Sequence, residues 1–336
     1  MITHEIKEIF KAFDQARSGG SKAVLATVVA LEGSSYRRPG VRMLLFEDGR
    51  MVGAVSGGCV EKEVFRQAHS VFRSQAAKVM TYDGRYRLGC EGLLYILLEP
   101  FAPSEGDMSL FLKIVETRCS FKMVSHFDRN FGEHPDCGTQ LFSPLGNFMF
   151  RSKDRPLLGG ERFEQALSPC FRLIIFGGGH DAIKLCAMAS SMGWEVTVVT
   201  QPKEDGQHSN FPGATHFIAT IPESLVLETD DQTALVMMTH SYVKDLQFLI
   251  QLQQHDFAYL GLLGPSKRRE KLLNDLMENH PEVELDFMER ISGPAGLDIG
   301  AETPQEIAVS IIAEILSVIR RKDARPLHLK EGQIHV

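Results

Sequence analysis

Apolar residues at Ile2, Ile6, Ile9, Phe10 and Phe13 recur at the spacing of one helix face, so an amphipathic helix is expected to open the chain. Behind it the period changes. "AVLATVVALEG" is an apolar run rich in Val, Ala and Leu, and "SSYRRPG" carries turn residues. "VRMLLFEDG" is a second run closed by Asp48-Gly49, and "RMVGAVSGG" reads as a third strand. "CVEKEVFRQAHSVFRSQ" returns to helical spacing, with Val60, Val64, Ala68, Val71 and Phe72 on one face. "AKVMTYDG" and "GLLYILLEP" read as strands, and Pro100 with "APSEGD" marks a boundary.

The middle is less regular. "MSLFLKIVETR" has helical spacing, while "SFKMVSHFD" and "GNFMFRSKD" read as strands around a Gly/Pro-rich interval. "RPLLGGERFEQALSP" reads as a linker with a short helix. From 171 onwards, fully apolar runs alternate with helical patterns: "LIIF", "EVTVVT", "TALVMMTHS" and "FAYLGLLGP" between "AIKLCAMASS", "VKDLQFLIQLQQ", "SKRREKLLNDLMENH" and "TPQEIAVSIIAEILSVIRRK". Such runs belong to a parallel sheet covered on both faces. The expected fold class is α/β. Residues 1–100 form a mixed α/β domain carrying two cysteines, 101–170 an irregular α+β segment and linker, and 171–325 a Rossmann-like domain.

"GGGHDA" fits G-x-G-x-x-G/A through Gly177, Gly179 and Ala182, and it stands between an apolar strand and a helix. The first glycine permits the tight turn, the second lets a phosphate approach, and the helix N-terminus offers free N–H groups. A dinucleotide fold usually ends its second strand on an acidic residue that holds the ribose. Here Thr200 and Gln201 stand there, with no carboxylate before Glu204 and Asp205. The glycines can therefore serve packing alone. His180 at the turn is placed to touch a phosphate or to cap the helix.

Composition narrows the classes. The 336 residues carry a net charge of −7, which argues against a nucleic-acid partner. The N-terminal segment lacks a basic stretch followed by an apolar one, and no apolar run reaches the ~18 residues of a membrane span, so the cytoplasm is the expected compartment. The six cysteines form no C-x-x-C pair, which favours free thiols over a disulfide framework or a zinc ribbon.

Two of these cysteines directly follow a glycine. Cys59 stands in "VSGGCVEKE" at the start of the expected helix, where free N–H groups favour a thiolate. Gly57 and Gly58 allow close backbone approach, Ser56 can cap or donate, and Glu61 and Glu63 in the first turn oppose thiolate formation. Cys90 stands in "LGCEGLL". Three readings stay open: packed thiols, a metal site completed by His69 or His126, and a close-approach ligand site. Arg37, Arg38 and Arg42 in "SSYRRPGVR" are available to an anion, or form a solvated turn with Pro39-Gly40.

Together, "EGSSYRRPGVRMLLFEDGRMVGAVSGGCVEKEV" and "LGCEG" resemble the N-terminal motifs of the XdhC/CoxI family, accessory factors of xanthine dehydrogenase and related molybdenum hydroxylases. "LIIFGGGHDA", "MMTHSYVKDL", "YLGLLGPSKRREKL" and "GPAGLDIGAETPQEIAVSIIAEIL" resemble its C-terminal Rossmann domain. The resemblance implies a cytoplasmic chaperone that binds molybdenum cofactor, a molybdopterin, supports its sulfuration and delivers it to an apo-hydroxylase. A cysteine desulfurase is the implied second partner, and a homodimer the implied assembly. Carried onto this chain, Cys59 and Cys90 contact the cofactor, with Ser56, Gly57 and Gly58 beside them. Arg37, Arg38 and Arg42 meet the pterin phosphate or nucleotide, a role for which Gly177, Gly178, Gly179 and His180 compete. Glu91 stands where the family usually has a glycine. In "GLDIGAETPQEIAVSI", Thr303 is the expected N-cap, with Pro304 at N1 and Glu306 completing a capping box.

A different class remains as the alternative: an NAD(P)-dependent oxidoreductase resting on the glycine turn. Its acid/base candidates, by residue type alone, are His180, His240, Tyr242 and Lys244.

Overall fold

A computed structural model of the chain describes residues 2–17, 19–33, 38–56, 58, 60–84, 92–151, 157–158, 160–202 and 208–331. The chain divides into two compact units, Met1–Pro169 and Cys170–Val336.

In the first unit α1 (Thr3–Arg17) leads into β1 (Ala23–Glu32), β2 (Arg42–Phe46), β3 (Met51–Gly53), α2 (Glu61–Ser74), β4 (Lys78–Asp83) and β5 (Leu93–Pro100). α3 (Glu105–Glu116), β6 (Phe121–Phe127), β7 (Gly132–Glu133), β8 (Gly138–Ser143), β9 (Gly146–Met149) and β10 (Glu161–Leu167) follow. The larger sheet has the order β3-β2-β1-β5-β4-β7 and the smaller β10-β6-β8-β9. Every pairing in both is antiparallel.

Strand alternation explains why the larger sheet is covered on both sides. Val24, Ala26, Val28, Met43 and Leu45 face α2 through Val64, Ala68 and Val71. Leu25, Leu44 and Phe46 face the opposite core, shared with Ile6, Phe10 and Phe13 of α1, Phe111 of α3 and Met123 and Leu141 of the smaller sheet. Phe10 stacks on Phe111 at 3.8 Å between ring centroids, and Phe101 meets both Phe10 and Phe13 edge-on.

The second unit contains β11 (Arg172–Phe176), α4 (His180–Ser191), β12 (Glu195–Thr200), β13 (Ala214–Ala219) and β14 (Thr233–Met237). It continues through α5 (Tyr242–Leu252), β15 (Tyr259–Leu262), α6 (Ser266–Asn279), α7 (Leu285–Glu289), β16 (Ile291–Ser292) and α8 (Pro304–Arg320). Its strands are parallel in the order β13-β12-β11-β14-β15-β16, the 3-2-1-4-5-6 order of a dinucleotide-binding fold. Helices α4 and α8 cover one face through Leu185, Ala189, Ile311 and Ile315, and α5, α6 and α7 cover the other through Phe248, Leu272 and Phe287. The Rossmann-like expectation is met. The Thr303 capping box is present: Glu306 N donates to Thr303 Oγ1 at 3.3 Å, and Thr303 N donates to Glu306 Oε2 at 2.9 Å.

Four local expectations fail. "ERFEQAL" is strand β10, because Phe163, Gln165 and Leu167 alternate inward against Arg162, Glu164 and Ala166. The Gly/Pro-rich interval holds β8. The third strand stops at Gly53, whose φ of +82° turns the chain. Half-exposed "ATHFIA" forms the edge strand β13, which the apolar pattern does not mark. Among the described residues no helix is long and apolar enough to cross a membrane.

Candidate functional site

Three connections of the first unit leave one edge of the larger sheet. Glu32 at the end of β1 pairs with Leu93 at the start of β5, which also pairs with Asp83 at the end of β4. Met43 near the start of β2 pairs with Gly53 at the end of β3. The links β1–β2, β3–α2 and β4–β5 therefore share that edge. Their described flanks are Gly33 and Arg38, then Ser56, Gly58 and Val60, then Gly84 and Gly92. Gly84 N donates to Gly92 O at 2.9 Å and closes the base of the third link. Each link carries one of the motifs singled out by sequence. Cys59, Gly57, Cys90 and Arg37 themselves lie outside the described residues.

The link bearing Cys59 is organised by Ser56 and Glu61. Ser56 N donates to Glu61 Oε1 at 2.7 Å, and Ser56 Oγ donates to Glu61 Oε2 at 2.8 Å. The same Oγ accepts from Gly58 N at 3.3 Å and Val60 N at 3.2 Å. Burial pushes the Glu61 carboxyl up, but hydrogen bonds from Ser56 and from nearby backbone amides outweigh it and hold Glu61 below its ordinary range. Gly58 has φ +115°, and a Cβ built there would meet no described residue within 4 Å. Helix α2 begins at Glu61 with Val60 as its N-cap, two positions after Cys59, and Glu61 is only 9% exposed.

Two expectations are corrected here. Ser56 does not offer its hydroxyl to a ligand: its proton goes to Glu61 and its lone pairs to the turn. Nor does Arg42 join Arg38 on an anion-binding turn. Arg38 is exposed, but Arg42 is fully buried, because strand alternation puts it on the face of Leu44 and Phe46. Its Nη1 donates to Gly40 O at 2.9 Å and to Gln165 Oε1. Its Nε and Nη2 are buried without a hydrogen-bond partner among the described residues. Burial lowers the Arg42 guanidinium to about 10, partly offset by the Glu99 carboxylate. Glu99, also fully buried, is pushed up to about 7 by burial, against hydrogen bonds from Thr139 and the charges of Arg42 and Arg151. Sequence reasoning misses this polar pocket inside the first unit, although a Glu within "LLYILLEP" and an Arg on an apolar strand face are both signals for it.

The other four cysteines lie among the described residues. Cys119, Cys137 and Cys186 are free. Burial pushes the Cys137 and Cys186 thiols up to about 11, so they stay protonated and unreactive near neutral pH. No group of His, Cys, Asp and Glu among the described residues is arranged to hold a metal ion. His69 packs edge-on against Phe65 and Phe72 on α2, and His126 stands on β6 of the smaller sheet.

In the second unit the glycine turn joins β11 to α4. Gly177 has φ +127°, and a methyl there would lie 2.3 Å from Met238 O. Gly177 N donates to Val199 O at 2.8 Å, and Met238 N donates to Phe176 O at 2.7 Å. Gly178 is half-buried, Gly179 is the N-cap of α4, and His180 is exposed and makes no capping bond. Opposite them, Thr239–Ser241 follows β14. His240 adopts φ +53°, and a Cβ on Gly179 would sit 2.8 Å from His240 Nε2. Thr239 Oγ1 donates to buried Asp245, which also accepts from Arg268 Nη2 at 2.7 Å. Among the residues named as acid/base candidates, Tyr242 is committed: its hydroxyl donates to Lys271 O and Asp275, and burial with the Asp275 carboxylate pushes it up to about 12.

Comparison with known proteins follows the same division. Residues 16–83 match the XdhC and CoxI family, and residues 173–315 match the XdhC Rossmann domain. A Bacillus subtilis protein, named as a probable subunit of xanthine dehydrogenase, is 31% identical over 324 residues, 89% of this chain and 94% of that protein. The molybdenum cofactor insertion chaperone PaoD of Escherichia coli is 25% identical over 94% of this chain and 90% of its own length. A crystal structure described as a xanthine dehydrogenase from Bacillus halodurans superposes with a TM-score of 0.75 at 26% identity, covering 95% of this chain and 98% of that one. The chain belongs to the XdhC and CoxI family.

Proposed function

We propose that this protein binds molybdenum cofactor as cargo, supports its sulfuration and hands it to a xanthine dehydrogenase-type molybdenum hydroxylase. The observation that carries the reading is the shared sheet edge, from which the links bearing Arg37 and Arg38, Cys59, and Cys90 all depart. The names of two relatives point the same way: the Bacillus subtilis protein is named for xanthine dehydrogenase, and the Escherichia coli protein is a cofactor insertion chaperone.

The described residues suit such a cargo. Among the described residues nothing lies within 4 Å of a Cβ built on Gly58, and Ser56 with Glu61 fixes the turn beside it. In this reading Cys59 and Cys90 supply soft sulfur ligands to the molybdenum–dithiolene centre. Arg37 and Arg38 take the phosphate end, and Arg42 is removed from that set by its burial. The cargo brings the molybdenum chemistry; this chain binds, shields and orients it. An apo-hydroxylase and a cysteine desulfurase are the proposed partners, in a proposed homodimer in the cytoplasm.

The test is to load purified protein with molybdenum cofactor and quantify bound molybdenum and pterin. Wild type should bind near-stoichiometrically, and Cys59→Ala and Cys90→Ala should each lose most of it. A folded wild type that retains neither metal nor pterin contradicts the reading.

A further inference from the structure

Arg42 uses only one of its three guanidinium nitrogens. Nη1 is committed to Gly40 O and Gln165 Oε1, while Nε and Nη2 are buried without a hydrogen-bond partner among the described residues. Those two nitrogens make up the side of a guanidinium that grips a planar oxyanion through two parallel bonds. A second orphan stands beside them. Thr27 of β1 is the register partner of Arg42 on β2, so both side chains leave the same face of the larger sheet. Thr27 is fully buried, and its Oγ1 likewise has no partner among the described residues. Buried polar groups are almost always paired, and two neighbours left open on one sheet face mark a place for a polar ligand.

The surrounding residues decide its charge. Gln165 of β10 is held over Gly40, where a Cβ would meet its Nε2 at 2.9 Å, and is already spent on Nη1. Glu99 of β5 lends its charge to Arg42 but no hydrogen bond, because its two oxygens accept from Thr139 N and Thr139 Oγ1 of β8. Ser125 of β6 holds that Thr139 hydroxyl in turn, at 2.8 Å. Glu99 is also shared between two cations, Arg42 and Arg151. A water on the open edge would meet three donors with two lone pairs and would leave the guanidinium charge buried. An anion answers both the donors and the charge.

We propose that the first unit holds a small monovalent anion, of the size of chloride, nitrate or formate, on Nε and Nη2 of Arg42 and the hydroxyl of Thr27. The anion ties β1 to β2 and, through Arg42 and Gln165, both to β10 of the smaller sheet. It is a structural ligand of the interior. The site uses no residue of the links that carry Cys59 and Cys90, so it stands or falls independently of cargo binding.

The full chain should be melted in sodium chloride, bromide, nitrate and formate at constant pH and ionic strength, with gluconate, an anion too large for a closed interior, as the balance. A saturable rise in Tm of about 3 °C or more is expected from at least one small anion. The strongest effect from nitrate or formate assigns a planar oxyanion, and the strongest from chloride or bromide assigns a halide. Thr27→Val should weaken the apparent affinity for that anion about tenfold while leaving the Tm in gluconate unchanged or raised, because it removes only an unpaired buried hydroxyl. Arg42→Met should abolish the response. A crystal grown in the most stabilising salt should show that anion against Nε and Nη2 of Arg42. Equal Tm in all five salts, a Thr27→Val protein that responds like wild type, or a water in place of the anion in that crystal would overturn the proposal.

Discussion

Ser56 and Glu61 clasp one another twice: the backbone N–H and the hydroxyl of the serine each donate to a different oxygen of the same carboxylate. The clasp spans the residues that lead into α2, and Cys59 lies between its ends in sequence. A glutamate that in the sequence looks like an electrostatic obstacle to a thiolate therefore has a structural task, which is to hold the turn.

Glu61→Ala removes the acceptor for both Ser56 donors and should cost about 1–3 kcal/mol, since partly buried donors lose a charged partner. Glu61 is held below its ordinary value of 4.5, so its contribution is fully present above pH 4.5 and is lost as pH falls through its folded value. Chemical denaturation at pH 7 and at pH 3.5 should show a gap between wild type and variant at the first pH that narrows at the second. Equal stability at pH 7 would remove the clasp from the account.

Glu99 predicts a pH dependence of opposite sign. Its folded value is raised from 4.5 to about 7 by burial, so the folded state holds a proton that the unfolded chain releases. Its contribution is complete below pH 4.5 and declines as pH rises to about 7, by up to roughly 3 kcal/mol. Glu99→Gln should flatten the stability profile of the first unit between pH 5 and pH 8. An unchanged slope would place the titration elsewhere.

Gly177→Ala tests the turn of the second unit. The left-handed φ and the 2.3 Å approach of a methyl to Met238 O leave no unstrained position for it. The clash is with backbone, so relief requires moving β11 away from the segment after β14. A loss of about 3 kcal/mol or more is expected. It should appear as a lower melting transition, and a Tm within a degree or two of wild type would contradict the geometry.

The parts of this fold that are legible in sequence have strong, local signals. Thr303, Pro304 and Glu306 announce a helix start by side-chain chemistry alone, and the apolar runs from 171 onwards leave little choice but a parallel sheet. Strand β10 is hidden because Glu, Gln and Ala in "ERFEQAL" favour helices, although its inward positions alternate. Arg42 misleads because an arginine near Arg37 and Arg38 looks like part of one basic turn. The two-residue period of β2 overrides that impression and buries it among Leu44, Glu99 and Gln165. The Gly179–His240 contact joins residues far apart in sequence, and nothing local to either predicts it.

Cofactor retention is the most direct test of the proposed cargo role, measured on wild type beside Cys59→Ala, Cys90→Ala and, as a control from the buried set, Cys186→Ala. Molybdenum and pterin should be retained together by wild type and the control, and lost together by the first two variants. Equal retention by all four proteins would contradict the proposal, because the sheet edge bearing Cys59 and Cys90 would then not be where the cargo is held.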